Sequence, residues 1–224
     1  MKAVVFDLDD TLYPELDFVR GGFAAAASHV ALRNGVDAGR VAERLMELLH
    51  DEGRGRIFDR FLEEAGLDAT SATTMLYLYR THHPILTPYP DVAPVLRTLA
   101  DAGLRLGVLT DGLASVQRRK LEALNLSVPF DVVVIVGELP SDATKPASTP
   151  YQVAAELLGL PPEEITYIGN DPYKDFAGAR ALGMRTIRVR APSDTFPRAT
   201  DAREDDADRY VDPFADIVGV LLND

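Results

Sequence analysis

Three aspartates, Asp7, Asp9 and Asp10, stand within four positions directly after the apolar run Ala3–Phe6, in the stretch KAVVFDLDDTLYPE. Carboxylates that close repel one another and resist burial. Such a run is therefore either a solvated loop or is gathered around positive charge. In extended chain, residues i and i+2 point the same way, so Asp7 and Asp9 face one site while Leu8 and Asp10 point elsewhere. Three later stretches carry matching chemistry: Thr110, Asp111 and Gly112; Lys145 in ATKPAS; and Gly169, Asn170 and Asp171, with Asp175 four positions on. Three or four converging carboxylates are what a hard divalent cation takes. For Mg²⁺ the octahedron is completed by water and substrate phosphate oxygens. With these groups, one carboxylate can attack phosphorus and form an aspartyl phosphate. A second, two residues on, can protonate the leaving oxygen and later activate water. The cation and Lys145 would neutralise phosphoryl charge, and Thr110 would donate from its hydroxyl.

These residues need elements to bring them together. Short, mostly apolar and β-branched runs at 3–6, 104–109, 132–136, 165–168 and 186–189 predict strands buried on both faces. Helical spacing between them appears at Val92, Val95, Leu96 and Leu99, and more loosely at Val116, Leu121 and Leu124. It returns at Val153, Ala154, Leu157 and Leu158, and in a shorter helix around Phe176, Ala179 and Leu182. Strand–helix–strand repetition predicts an α/β fold, a Rossmann-like parallel sheet core with helices on both faces. In such sheets ligands bind beyond the carboxyl ends of the strands, which is where each candidate lies. The second strand begins about 100 residues after the first, too far for a single loop in a compact domain. The surplus reads as helices at 18–32, 36–50, 57–65 and 70–79. The expected organisation is a core of 1–13 and 88–224 with an all-helical cap at 14–87, a lid on the site. Residues 191–209, rich in Asp, Arg, Pro and Ser, read as a solvated loop. A sixth strand at 210–211 and a helix at 214–222 follow.

Composition narrows the function classes. The formal net charge of −12 argues against a nucleic-acid partner, which needs clustered Lys and Arg. There is no cysteine, so thiolate metal sites, cysteine nucleophiles and disulfides are excluded. No run approaches the roughly 18 apolar residues of a membrane helix, and the first residues do not read as a secretory signal, so a cytoplasmic protein with no membrane partner is expected. Of the 23 basic residues only Lys2, Lys120, Lys145 and Lys174 are lysines. In an arginine-using chain, Lys145 stands where an amine is chemically useful.

Taken in order, FDLDDTLYP resembles the first motif, DxDxT, of the haloacid dehalogenase-like hydrolase superfamily. LTDG resembles its second motif, Lys145–Pro146 its third, and GNDPYKDFAGARALGM its fourth. The likeness covers residues 2–13 and about 88–189, and the insertion is similar to the helical cap of the subclass carrying its cap after motif one. FDLDDTLYP with YPDV is most similar to phosphatase-like and pyrimidine-nucleotidase-like branches. The resemblance implies a Mg²⁺-dependent phosphomonoesterase acting on a small soluble phosphate ester. Asp7 would be nucleophile and metal ligand. Asp9 would be general acid and base, its backbone carbonyl on the metal. Thr110 and the amides of Asp111 and Gly112 would bind phosphate, and Lys145 would steady the phosphoaspartate. The family often has Gly-Asp where this chain has Gly169–Asn170, followed by Asp171. Either Asn170 offers its amide oxygen to the metal or Asp171 takes the role. Asp171 is the expected charged ligand, with Asn170 and Asp175 beside it. Rival readings are a phosphomutase, against which Thr11 weighs; a dehalogenase, whose branch lacks an acid at the Asp9 position; and a catalytically silent binding protein.

Overall fold

The computed structural model describes residues 1–140, 142–190 and 207–223. The chain falls into two compact units, Met1–Pro14 with Thr87–Asp224, and Glu15–Leu86.

The first unit is built on a parallel sheet of β1 (Ala3–Phe6), β2 (Arg105–Thr110), β3 (Val132–Ile135), β4 (Ile165–Gly169), β5 (Arg185–Val189) and β6 (Arg209–Val211), in the order β3-β2-β1-β4-β5-β6. The order reverses between β2–β1 and β1–β4, the point at which open α/β sheets leave a crevice outside their carboxyl ends. Alternate residues of each strand feed opposite layers. Val5, Leu109 and Tyr167 join a core with Tyr151, Ala154 and Leu158 of the helix Thr149–Leu158. Phe6, on the other face, stacks on Phe214 at 6.2 Å. Helices Val92–Asp101 and Ala114–Leu124 follow Thr87 and β2, and Ala177–Ala181 follows β4.

Two strand ends run further than the apolar pattern predicts. Thr110 is the last residue of β2, paired with Ile135, and Gly169 is the last of β4, paired with Arg188. The ladder therefore delivers these residues directly to the sheet edge. The expected closing helix starts as a short 3₁₀ turn, Phe214–Asp216, and becomes α-helical at Ile217–Leu222. Most of the loop expected at 191–209 lies outside the described residues, and Arg209 opens β6.

The second unit is helical: Glu15–Asn34, Ala38–Glu52, Ile57–Ala65 and Ser71–Thr81. The second of these starts later than its periodicity predicts because Asp37 caps it, accepting from Arg40 N at 2.8 Å. Phe23, Phe58 and Tyr79 meet ring to ring with centroids 5.5–5.9 Å apart. Arg54 and Arg56 pair within this unit, with Glu15 and Glu63. Among the described residues no helix is long and apolar enough to cross a membrane.

Candidate active site

Beyond Phe6 the ladder continues for one residue, since Asp7 N donates to Ile168 O at 2.8 Å. The chain then closes a tight turn. Leu12 N donates to Leu8 O at 3.0 Å, Asp10 N to Tyr13 O at 3.0 Å, and Asp10 takes a left-handed φ of 54°. The turn swings Thr11 back, so its hydroxyl lies 3.5 Å from Asp7 Oδ2 and 3.3 Å from Asn170 Oδ1.

Lys145 reaches into this group from the chain after β3. Its Nζ lies 2.6 Å from Asp7 Oδ1, 2.7 Å from Asp175 Oδ1 and 3.0 Å from the Tyr167 hydroxyl. All four side chains are buried. Asp175 holds the arrangement from behind. Its Oδ2 accepts from Asn170 N at 3.0 Å and Asp171 N at 2.8 Å, so the turn after β4 is tied to the lysine that holds Asp7. Gly169 is needed there, because a Cβ would stand 2.4 Å from Asp175 Oδ2.

Asp9 belongs to a second group. Lys120 Nζ is 2.8 Å from its Oδ1 and 2.9 Å from its Oδ2; Gln117 Nε2 is 3.0 Å from Oδ2; and Tyr13 donates to Oδ1. Gln117 Nε2 also lies 2.6 Å from Thr110 Oγ1. A carboxylate has about four lone-pair positions, and these donors occupy them.

A family model described as a haloacid dehalogenase-like hydrolase matches residues 1–183. The chain belongs to the haloacid dehalogenase-like hydrolases. It is 36% identical over 203 residues to a protein of Methanopyrus kandleri named glyceraldehyde 3-phosphate phosphatase, covering 85% of this chain and 84% of the relative. Among solved structures it is similar to a HAD phosphatase from Thermococcus onnurineus, at 27% identity and a TM-score of 0.64, covering 99% of this chain and 98% of that one. It is also similar to a 2-haloacid dehalogenase from Pseudomonas syringae, at 27% identity and a TM-score of 0.67, covering 100% and 99%.

Within this hydrolase the two acids sit in different electrostatic settings. Burial pushes the Asp7 carboxyl up to about 8; Lys145 opposes the rise and Asp175 adds to it. Burial is the larger cause, and it prevails because the one ammonium beside Asp7 is shared with a second carboxylate. Burial also resists ionisation of Asp9, but Lys120, with Tyr13 and Gln117, outweighs it and holds this carboxyl below the usual range. Burial raises Asp111, against the pull of Lys145, whose backbone N–H it accepts.

Asp7 and Asp175 meet on Lys145, Asp9 turns to Lys120, and Asp171 Oδ1 accepts from Tyr173 N at 2.9 Å in its own turn. Among the described residues no three His, Cys, Asp or Glu side chains form a ready cation cage. Of the two residues after Gly169, Asn170 is the one whose side-chain oxygen shares a hydroxyl with Asp7. Thr110 ends β2, and Asp111 and Gly112 follow it in the turn. Gly112 has a φ of 129°, and its carbonyl would stand 2.3 Å from a Cβ on Gly137, so the end of β3 lies against this turn.

Sequence reading missed Gln117, Lys120, Tyr13 and Tyr167. Two signals pointed to the α6 pair (Ala114–Leu124 being the sixth α-helix in chain order). Lys120 is one of only four lysines. The apolar periodicity of that helix is loose because Gln117 and Lys120 occupy buried positions alongside Val116 and Leu124.

Proposed function

We propose that this hydrolase is a phosphomonoesterase for a small soluble phosphate ester, working through an aspartyl phosphate on Asp7 with Mg²⁺. The observation that carries the reading is Asp7 buried at the sheet's switch point, with Lys145 at 2.6 Å and a second acid braced behind it. The phosphatase names among its relatives point the same way.

An oxygen of Asp7 attacks phosphorus and the ester P–O bond breaks, with Asp9 passing a proton to the leaving oxygen. Water then attacks phosphorus and gives its proton to Asp9, the Asp7–phosphate bond breaks, and inorganic phosphate leaves. Lys145 stays beside Asp7 through both steps, holding the carboxylate and the charge gathered on it. To carry a proton, Asp9 needs one of its donors to give way. Tyr13 is the partner able to do so, since a hydroxyl both donates and accepts, whereas ammonium and amide N–H groups only donate.

The donor set suits Mg²⁺. A carboxylate oxygen of Asp7 and the amide oxygen of Asn170 lie within reach of one hydroxyl, and a cation beside Asp7 would cancel the surplus negative charge facing Lys145. Asp7, the Asp9 carbonyl and Asn170 would hold the ion. Asp171, the charged alternative, accepts from Tyr173 N through one oxygen in its own turn. The chemistry supplied by a cation held there would be charge neutralisation at the phosphoryl oxygens. Thr110 with the amides of Asp111 and Gly112 would bind phosphate. The helical unit is read as a cap that sets substrate choice, because it enters the chain directly after Pro14.

The test is phosphate release from a panel of sugar phosphates, nucleotides and triose phosphates, with glyceraldehyde 3-phosphate first. Activity should vanish with chelator, return with Mg²⁺ and be absent in Asp7→Asn. Likeness to a 2-haloacid dehalogenase favours one rival, in which Asp7 displaces halide from carbon. Chloride release from a 2-haloacid without added metal, and no phosphate release, would establish that rival instead.

A further inference from the structure

Helix α6 puts two polar side chains where its neighbours are apolar. Gln117 is 1% exposed and Lys120 is 4% exposed, one turn apart on the face that buries Val116 and Leu124. A buried ammonium is costly unless paired, and Lys120 takes both oxygens of Asp9 as its partner. Gln117 spends its amide nitrogen on two acceptors, Asp9 Oδ2 and Thr110 Oγ1. Because Thr110 accepts that hydrogen, its own O–H is the donor, resting on a long 3.5 Å contact to Asp111 O that a phosphate oxygen can replace. Gly112 lies against the same amide, its notional Cβ 3.2 Å from the Gln117 carboxamide carbon.

We infer that Gln117 and Lys120 are positioning residues for the reaction: together they fix the Asp9 carboxylate beside Thr110 and turn the Thr110 hydroxyl toward an incoming phosphate. The inference rests on the phosphatase reading above, with Asp9 serving the leaving oxygen. Neither residue needs to touch substrate. Lys120 grips the carboxylate at both oxygens and sets its plane, and Gln117 couples that plane to the end of β2. A plain core role for the pair would instead secure the packing of α6 on the sheet and leave the chemistry indifferent to leaving group.

The experiment compares release of the alcohol in the first turnover for a simple alkyl phosphate and for p-nitrophenyl phosphate, whose leaving group needs no proton. In Lys120→Met the alkyl ester should slow about 10²-fold or more, within the range of a general acid's contribution, while the nitrophenyl ester slows less than about tenfold. Lys120→Arg, which keeps the charge, should restore part of the difference, and Gln117→Leu should raise KM for both esters. Adding Lys120→Met to Asp9→Asn should cause no further loss. Equal slowing of both esters, or an additive loss in the double variant, overturns the inference while leaving Asp7 chemistry intact. Should Lys120→Met not fold, the leaving-group comparison is made on Lys120→Arg and Gln117→Leu, and parental ratios in both would overturn it. Loss of the phosphatase reading looks different: the parent itself then gives no Asp7-dependent release of alcohol from either ester, and both proposals fall.

Discussion

Lys145 Nζ stands 2.6 Å from Asp7 and 2.7 Å from Asp175, so a single buried ammonium serves two buried carboxylates. Asp175 also accepts two backbone N–H groups of the turn after β4. Replacing it with alanine leaves those donors unpaired and frees the lysine on one side. Asp175→Ala should lower unfolding free energy by about 2–4 kcal/mol, the cost of unsatisfied buried polar groups, as read from the urea midpoint. Phosphate release should fall by at least about 10²-fold, since misplacing a group that holds a reacting atom costs that much.

Burial of the Asp7 carboxyl gives a pH signature. Burial, with Asp175 adding to it, raises the Asp7 carboxyl to about 8 from a reference value of 3.8. The folded protein therefore keeps a proton that the unfolded chain releases. This contribution to stability is complete below about pH 4 and is lost as pH rises toward 8. In chelator, the Tm of the parent should decline relative to Asp7→Asn across that window. Saturating Mg²⁺ should flatten the difference, because a cation replaces the proton. A constant difference at all pH values would contradict a raised Asp7 carboxyl.

The turn after β2 should be sensitive at a distance. A methyl on Gly137 would stand 2.3 Å from Gly112 O and 3.0 Å from Ala114 N, both backbone atoms. Gly137→Ala must push the turn away. We expect KM for phosphate esters to rise about tenfold or more, with circular dichroism unchanged. An unaltered KM would remove that turn from phosphate binding.

The strands were legible because parallel strands covered on both faces read as continuous apolar runs, and β1 at Ala3–Phe6 is a clear example. The acids after them were legible because chemistry at strand ends needs particular residue types. The i, i+2 rule aimed Asp7 and Asp9 at one site, yet the turn at Leu8–Leu12 sends Asp9 to Lys120 and Asp7 to Lys145. Pairing across about a hundred positions is set by tertiary packing, which local periodicity does not encode. Asp171 was legible as a candidate ligand by type alone, whereas its turn contact was legible from its place before Pro172, where Oδ1 accepts from Tyr173 N.

The central claim is that Asp7 carries the phosphoryl group. A crystal structure with Mg²⁺ and beryllium fluoride tests it most directly. The account predicts a tetrahedral fluoroberyllate bonded to an Asp7 oxygen, with Lys145 alongside and the metal on Asp7 and Asn170. Fluoroberyllate on any other side chain, or an unmodified Asp7 beside a bound ion under saturating conditions, would contradict it.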